Sequence, residues 1–344
     1  MKGIQAVSVH EPGDAAPTGP RVRAIVRAIR EEERRLRGQH RWLAHQDAIG
    51  TAVFVFSVTA MAGLAWGYLA AGLAWWVTVP LMALPISLLH ELEHDLIHDL
   101  YWKGRRRAQD AMFFVIAWAK LSGSPWFRRG IHLHHHRRSG QHDDVEERLI
   151  GIGIPAGFYR LLIAVHPIFA GPVALQVRAV RPEFRAETGL RSSLPQFVLF
   201  GAVLFGWPLL QILSVVAPGL AGLVPAELQR TLTALMVLLI APNVLRQTAL
   251  ALISSYCHYY EDIPEHDLFF QNQILDHRAL WPLQLFCWNF GGTHVIHHYW
   301  PAQPFYLRQM VARAVHGEML RQGVRRNDLD IVRRANRWGE PKRG

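Results

Sequence analysis

The chain has 344 residues, half of them hydrophobic, a formal charge of +10 and only two cysteines, Cys257 and Cys287. That length exceeds a minimal domain, and two cysteines exclude both a disulfide framework and a CxxC metal knuckle. No nucleic-acid-binding motif accompanies the basic balance. The first twenty residues are polar and rich in Pro and Gly, and read as a disordered lead-in rather than a secretory signal. RVRAIVRAIREEERRLRGQHR (21–41) follows. It reads either as an amphipathic helix lying on a membrane surface or as a solvated charged helix.

From Gly50 to Leu89 there are 40 residues without a charge. One helix of that length would reach about 60 Å, twice the hydrocarbon core of a bilayer, so a hairpin of two spans turning near Gly67 to Gly72 fits better. A second uncharged stretch runs from Ser192 to Ala226, and Leu228 to Ile253 carries only Arg230 and Arg246. The predicted crossings are therefore about 50–68, 73–89, 194–216 and 229–253. Residues 111–127 and 151–177 read as interfacial, and 279–292 is too short to span. Arginines cluster in 21–41, 103–107, 127–140 and 308–343, whereas the two predicted far-side connections carry only Glu227. The positive-inside rule then places both termini and the 90–190 region in the cytoplasm. The expected division is a lead-in and basic helix (1–45), a membrane catalytic domain (46–310) and a basic tail (311–344).

Three histidine clusters flank these spans: HELEHDLIH (90–98), HLHHH (132–136) and THVIHH (293–298). Residues i, i+3 and i+4 share a helix face. His90, His94 and His98 therefore form one stripe. His132, His135 and His136 form another, as do His294, His297 and His298; His134 points elsewhere. Neutral imidazole suits several transition metals, and this many rings exceed one tetrahedral zinc, so the count fits two metals with four or five nitrogens each. His258 is a further candidate ligand, and all clusters must lie on one face of the membrane to meet. Glu91, Asp95, Asp143, Asp144, Glu261, Asp262 and Asp267 lie close enough in sequence to receive the rings' second N–H, or are ordinary surface charge.

HVIHHYWPAQPFY, with Pro301, Pro304 and Tyr306 after its HxxHH, resembles the third box of the membrane fatty acid desaturase superfamily, which includes desaturases, hydroxylases and ketolases. His90 and His94 match an HxxxH first box, and His132, His135 and His136 an HxxHH second box. The resemblance covers roughly residues 50–310. It implies an all-α membrane protein of about four spans whose cytoplasmic helical cap holds two non-haem irons. The implied ligands are His90, His94, His132, His135, His136, His258, His294, His297 and His298. His98, Glu91, Asp95, Asp144 and Glu261 are candidates for groups that support the ligands, and His98 is open as a ligand. Ser254 stands where the family often has asparagine a turn before the extra histidine.

The chemistry implied is O2-dependent removal of hydrogen from a lipid methylene. Loss of two hydrogens gives a desaturase, and return of oxygen a hydroxylase. An apolar acyl chain is the expected substrate, with Trp118, Trp126, Trp281 and Trp288 as either cavity lining or interfacial anchors. No HPGG haem motif and no Gly-rich flavin or nicotinamide fingerprint is present, so electrons come from an external redox protein such as a ferredoxin. Arg105 to Arg107, Arg128, Arg129, Arg137 and Arg138 form the expected docking surface. Two other readings stay open. HELEH satisfies the HExxH of a zinc protease, and clustered histidines also suit a metal transporter or sensor.

Overall fold

The computed structural model describes residues 18–177 and 180–339. The chain is helical throughout, with no strand among the described residues and two isolated bridges, His258 with Asn272 and Ile274 with Arg326. Four helices are long and apolar enough to cross a membrane: Gln46–Ala70, Trp75–Ile97, Leu194–Val216 and Ala226–Cys257. The first two form the expected hairpin. Gly72 adopts φ +73°, a left-handed conformation open to glycine, and the Leu73 amide closes the turn onto Gly67.

The second and fourth spans are central and the other two peripheral: 61% and 56% of their most apolar stretches are buried, against 11% and 17% for the first and third. The outer spans turn Phe56 and Val215 outward, 61% and 83% exposed, which is the surface expected to face lipid. Both central helices run past the apolar stretches read from sequence. The second continues to Ile97 and carries His90 and His94 in its last turns, and the fourth ends at Cys257, next to His258. Hydropathy marks where lipid ends. These helices go on because the cap buries and pairs their polar continuation.

The cap consists of the short helices between the spans and the segments at either end. Arg106–Lys120 packs against the second span and ends at Leu121 in the left-handed region. Ser124 caps the next helix, Pro125–Arg138, accepting from the Phe127 amide, with proline at the first position, where no amide hydrogen is needed. The basic N-terminal stretch is the Gly19–Gln39 helix. Its apolar stripe, Val22, Ile25, Ile29 and Leu36, is buried against Val295, Ile296 and the Phe305–Arg321 helix, so protein and not lipid covers it. The polar lead-in lies, up to residue 17, outside the described residues. The tail also folds back: Ile331, Val332 and Trp338 pack on Tyr259.

Gly291 lets the third-box helix (Phe290–Tyr299) approach its neighbour. The Gly291 carbonyl accepts from the Leu275 amide, and an added Cβ would lie 2.6 Å from the Leu275 carbonyl oxygen and 2.5 Å from Gln284 Nε2. We expect Gly291→Ala to destabilise the purified protein by about 1–3 kcal/mol, read as a lower thermal midpoint in detergent. Gly63→Ala, where nothing lies within 4 Å, should leave the midpoint unchanged.

Candidate metal centre

The three boxes meet at one end of the bundle. Nine rings sort into two groups whose ligand atoms lie within 4.8 Å of one another: His94, His98, His132, His136 and His297 in one, and His135, His258, His294 and His298 in the other. Each HxxHH helix divides its rings. The second box gives its i, i+4 pair, His132 and His136, to the first group and His135 to the second. The third box does the reverse, giving His294 and His298 to the second group and His297 to the first. The fourth span adds His258.

His90 lies in neither group. Its Nε2 faces Arg128 Nη2 at 3.3 Å, and His98, one turn after His94, stands with the first group. His134 also lies apart, 3.2 Å from the Asp143 carbonyl. Glu91 is buried beside Arg308 at 3.5 Å, so the HExxH pair and its glutamate do not close on one point.

Four of the nine rings have their outer nitrogen held by an acceptor. His297 Nδ1 instead accepts from Arg308 at 3.1 Å, and the Nδ1 atoms of His94 and His294 have no hydrogen-bond partner among the described residues. His135 Nδ1 donates to Asp144 at 2.6 Å, His132 Nδ1 to Glu146 at 2.7 Å, His258 Nδ1 to the Ser254 carbonyl at 2.8 Å and His298 Nδ1 to Gln271 at 3.4 Å. Each such bond fixes the tautomer, leaving the Nε2 lone pair to point inward. Burial, reinforced by neighbouring rings, pushes His98, His136, His294, His297 and His298 well below the usual imidazole range, and His258 down to about 3. They are neutral at pH 7, the form that binds metal. His135 is the exception: burial is the largest effect and opposes its charge, but Asp144, Glu146 and Glu147 together push the ring up to about 9. A metal must displace that proton.

This donor set fits metal ions. Facing Nε2 atoms stand 2.8 to 3.2 Å apart, as between His297 and His136 or His135 and His298. Two inward lone pairs at that distance repel unless a cation lies between them. Nitrogens about 2.1 Å from a shared ion stand roughly 3.0 Å apart at right angles and about 3.4 Å apart at a tetrahedral angle.

Of the residues that support the ligands, Asp95 is a candidate from the sequence, whereas Glu146 and Asn336 are not. Glu146 sits in VEERL, which reads as surface charge, yet it holds His132. Asp95 accepts from Tyr101 Oη (2.9 Å), the Phe305 amide (2.8 Å) and Arg308 Nη2 (3.0 Å), tying the first box to the helix after the third. Asn336, fully buried, donates to the Ser255 and His258 carbonyls at 2.6 and 2.8 Å and accepts from Arg160 at 2.8 Å. Of the acids near His258, Glu261 pairs with Arg337, Asp262 with the Trp338 and Gly339 amides, and Asp267 with Thr18; all three engage the chain's ends.

Beside the two groups lies a cavity of about 380 Å³, within the size range of small-molecule sites. Its walls are largely apolar, with Phe127, Ile131, Leu175, Leu190, Phe197 and Leu250 among them. His94, His132, His135, His258 and His294 also line it, so it opens on both groups. Trp118, Trp126, Trp281 and Trp288 do not line it and are 38–67% exposed, as suits interfacial anchors.

Asp144→Asn keeps the shape of the side chain and removes the charge that holds His135, so metal affinity at the second group should fall about 10–100-fold, measured by competition with a chelator. Asn336→Ala should lower metal at the same group and leave the first group loaded, seen as a drop in bound metal per chain. Unchanged metal content in Asn336→Ala would show that the tail does not position His258.

No curated protein matches the chain at a significant level. The sequence pattern that defines the family described as fatty acid desaturase matches residues 73–329, about three quarters of the chain and every histidine of the two groups. The chain belongs to the fatty acid desaturase family.

Proposed function

We propose that this chain desaturates a lipid acyl chain with O2 at a pair of non-haem irons, drawing electrons from a separate redox protein. Hydroxylation of a lipid chain at the same centre is the second reading, since both outcomes start with removal of one hydrogen from a methylene. The observation that carries the reading is the shared wall: two groups of imidazoles, five and four, opening on one largely apolar cavity. Bound iron would supply activated O2, a task no side chain can perform on an unactivated C–H bond.

The residues divide the remaining work. We assign His94, His98, His132, His136 and His297 to one iron and His135, His258, His294 and His298 to the other, with His98 in the place that sequence gave to His90. Glu146, Asp144, the Ser254 carbonyl and Gln271 orient the rings. Phe127, Phe197 and Leu250 exclude water from the cavity and favour an alkyl chain. The arginine-rich connections support a topology with both termini and the metal centre on the cytoplasmic side. Arg105 to Arg107 are exposed and form the proposed face for an acidic donor such as a ferredoxin. Arg128 and Arg129 turn inward onto Glu93 and the Leu96 carbonyl, and drop out of that face.

The purified protein should carry two irons per chain, and cells expressing it should gain an unsaturated or hydroxylated lipid that a His297→Ala variant does not make. One zinc per chain, or an unchanged lipid profile, would overturn the proposal. His98→Ala should lose iron, whereas His90→Ala should keep both; the opposite result would restore His90 as the ligand. Reversing Arg105, Arg106 and Arg107 to Glu should slow donor-dependent reduction at low salt and leave turnover with chemically supplied electrons intact. A wild-type rate insensitive to salt would count against the docking face.

A further inference from the structure

The cavity beside the metal centre reaches the surface on one side. Among the described residues that line it, Ile168, Pro172 and Leu190 are exposed, and the others are buried or half-buried. All three belong to the segments that precede the third span, the 167–175 turns and the Ala186–Ser192 helix. Ile168 is 39% exposed and Leu190 43%, so each has one flank on the cavity and one outside. Gly171 also lines the cavity, and a Cβ added there would meet nothing within 4 Å, so space lies beside that part of the rim.

Contacts fix the depth of this mouth. His166, two residues before Ile168, stacks on Phe200 with ring centroids 4.0 Å apart and meets Phe197 edge-on at 5.1 Å. The third span starts at Leu194, and the six residues from there to Phe200 cover about 9 Å. The chain leading to Ile168 therefore lies beside the first two turns of the span. Leu190 stands about one turn before Leu194. The surroundings are apolar and outward-facing. Leu194 and Val198 of the span are exposed. So are Phe158 and Leu161 on the Phe158–Val165 helix, which packs against the fourth span and leads into His166. Exposed apolar groups gathered around the first turns of a span are a surface for lipid, and water would penalise them.

We infer that the acyl chain enters the cavity sideways from the bilayer, through a mouth rimmed by Ile168, Gly171 and Leu190. The substrate is then an acyl chain of a lipid resident in the membrane, not one delivered from water on a soluble carrier. This rests on the reading of the cavity as the lipid site. A chain that slides from hydrocarbon into an apolar cavity never exposes its methylenes to water, whereas a chain arriving from the cytoplasm has no use for an apolar rim at this depth. The inference narrows the substrate class and gives Gly171 and Leu190 a role as entry determinants.

The test uses the full-length, metal-loaded protein in phosphatidylcholine vesicles that contain a phosphatidylcholine with a diazirine on its acyl chain. Light fixes that chain to whatever it touches, and peptide mapping locates the adducts. In the wild type, adducts should appear inside the cavity, on Phe127, Leu175 or Leu250, as well as on the outward-facing Val198 and Phe205. Gly171→Phe fills the rim and Leu190→Asp puts a charge on it. Each should lower interior labelling about tenfold and leave the outer labelling unchanged. Should Gly171→Phe fail to fold, Leu190→Asp alters an exposed side chain and carries the test. Gly206→Phe, in the third span where an added Cβ also meets nothing within 4 Å, should leave both labels as they are. A wild type without interior adducts, interior labelling undiminished in both rim variants, or an equal loss in Gly206→Phe would overturn the inference. So would interior labelling by a diazirine-bearing acyl thioester of CoA, supplied in water, that neither rim variant lowers. Metal content and lipid products of the same samples separate the two levels. Two irons and a new lipid product with labelling indifferent to the rim would sink the entry route alone. Labelling that depends on the rim, without iron, would sink the catalytic reading alone.

Discussion

The structure depends on one electrostatic demand: nine imidazoles whose lone pairs converge on two points. Facing Nε2 atoms about 3 Å apart are a destabilising arrangement for neutral rings, tolerable only around cations or shared protons. The fold answers this by bracing four of the nine rings. Carboxylates, a backbone carbonyl and an amide side chain hold the outer nitrogens of His132, His135, His258 and His298. Those four rings are held against swinging away, so burial and hydrogen bonding elsewhere sustain the arrangement. The two central spans follow from the same demand. They alone carry ring-bearing segments out of the apolar layer, and the peripheral spans shield them.

The sequence made the spans and the boxes legible because both are local signals: an uncharged run and an i, i+3, i+4 spacing. It could not rank His90, His94 and His98. Those three repeat every four residues down one stripe, and nothing local says which turns reach the other boxes. The end of the second span decides it, since only the rings nearest Ile97 stand with His132 and His297. The resemblance matches an HxxxH box to His90 and His94 and leaves His98 open, and His94 and His98 have the same spacing.

Other features were hidden because their meaning is non-local. Glu146 looks like one charge in an acidic-basic run, and only the fold of 139–147 brings it under His132. The basic N-terminal helix has the stripe of a membrane-surface helix; a protein groove and a lipid surface demand the same periodicity, so the pattern cannot tell them apart. Asn336 gave no signal at all. Its importance comes from sitting in the left-handed region at φ +65°, where asparagine is better tolerated than most residues, with its amide spent on the backbone that carries His258.

The Asp95–Arg308 and His258–Asn336 links join residues 213 and 78 positions apart. During synthesis, then, the first two boxes emerge and the first hairpin inserts long before either link can form. Until then the rings of boxes one and two lack their counterparts from box three, although Glu146 and Asp144 lie close in sequence to His132 and His135. Assembly of the complete set of rings is therefore a late step, coupled to docking of the last helix and tail.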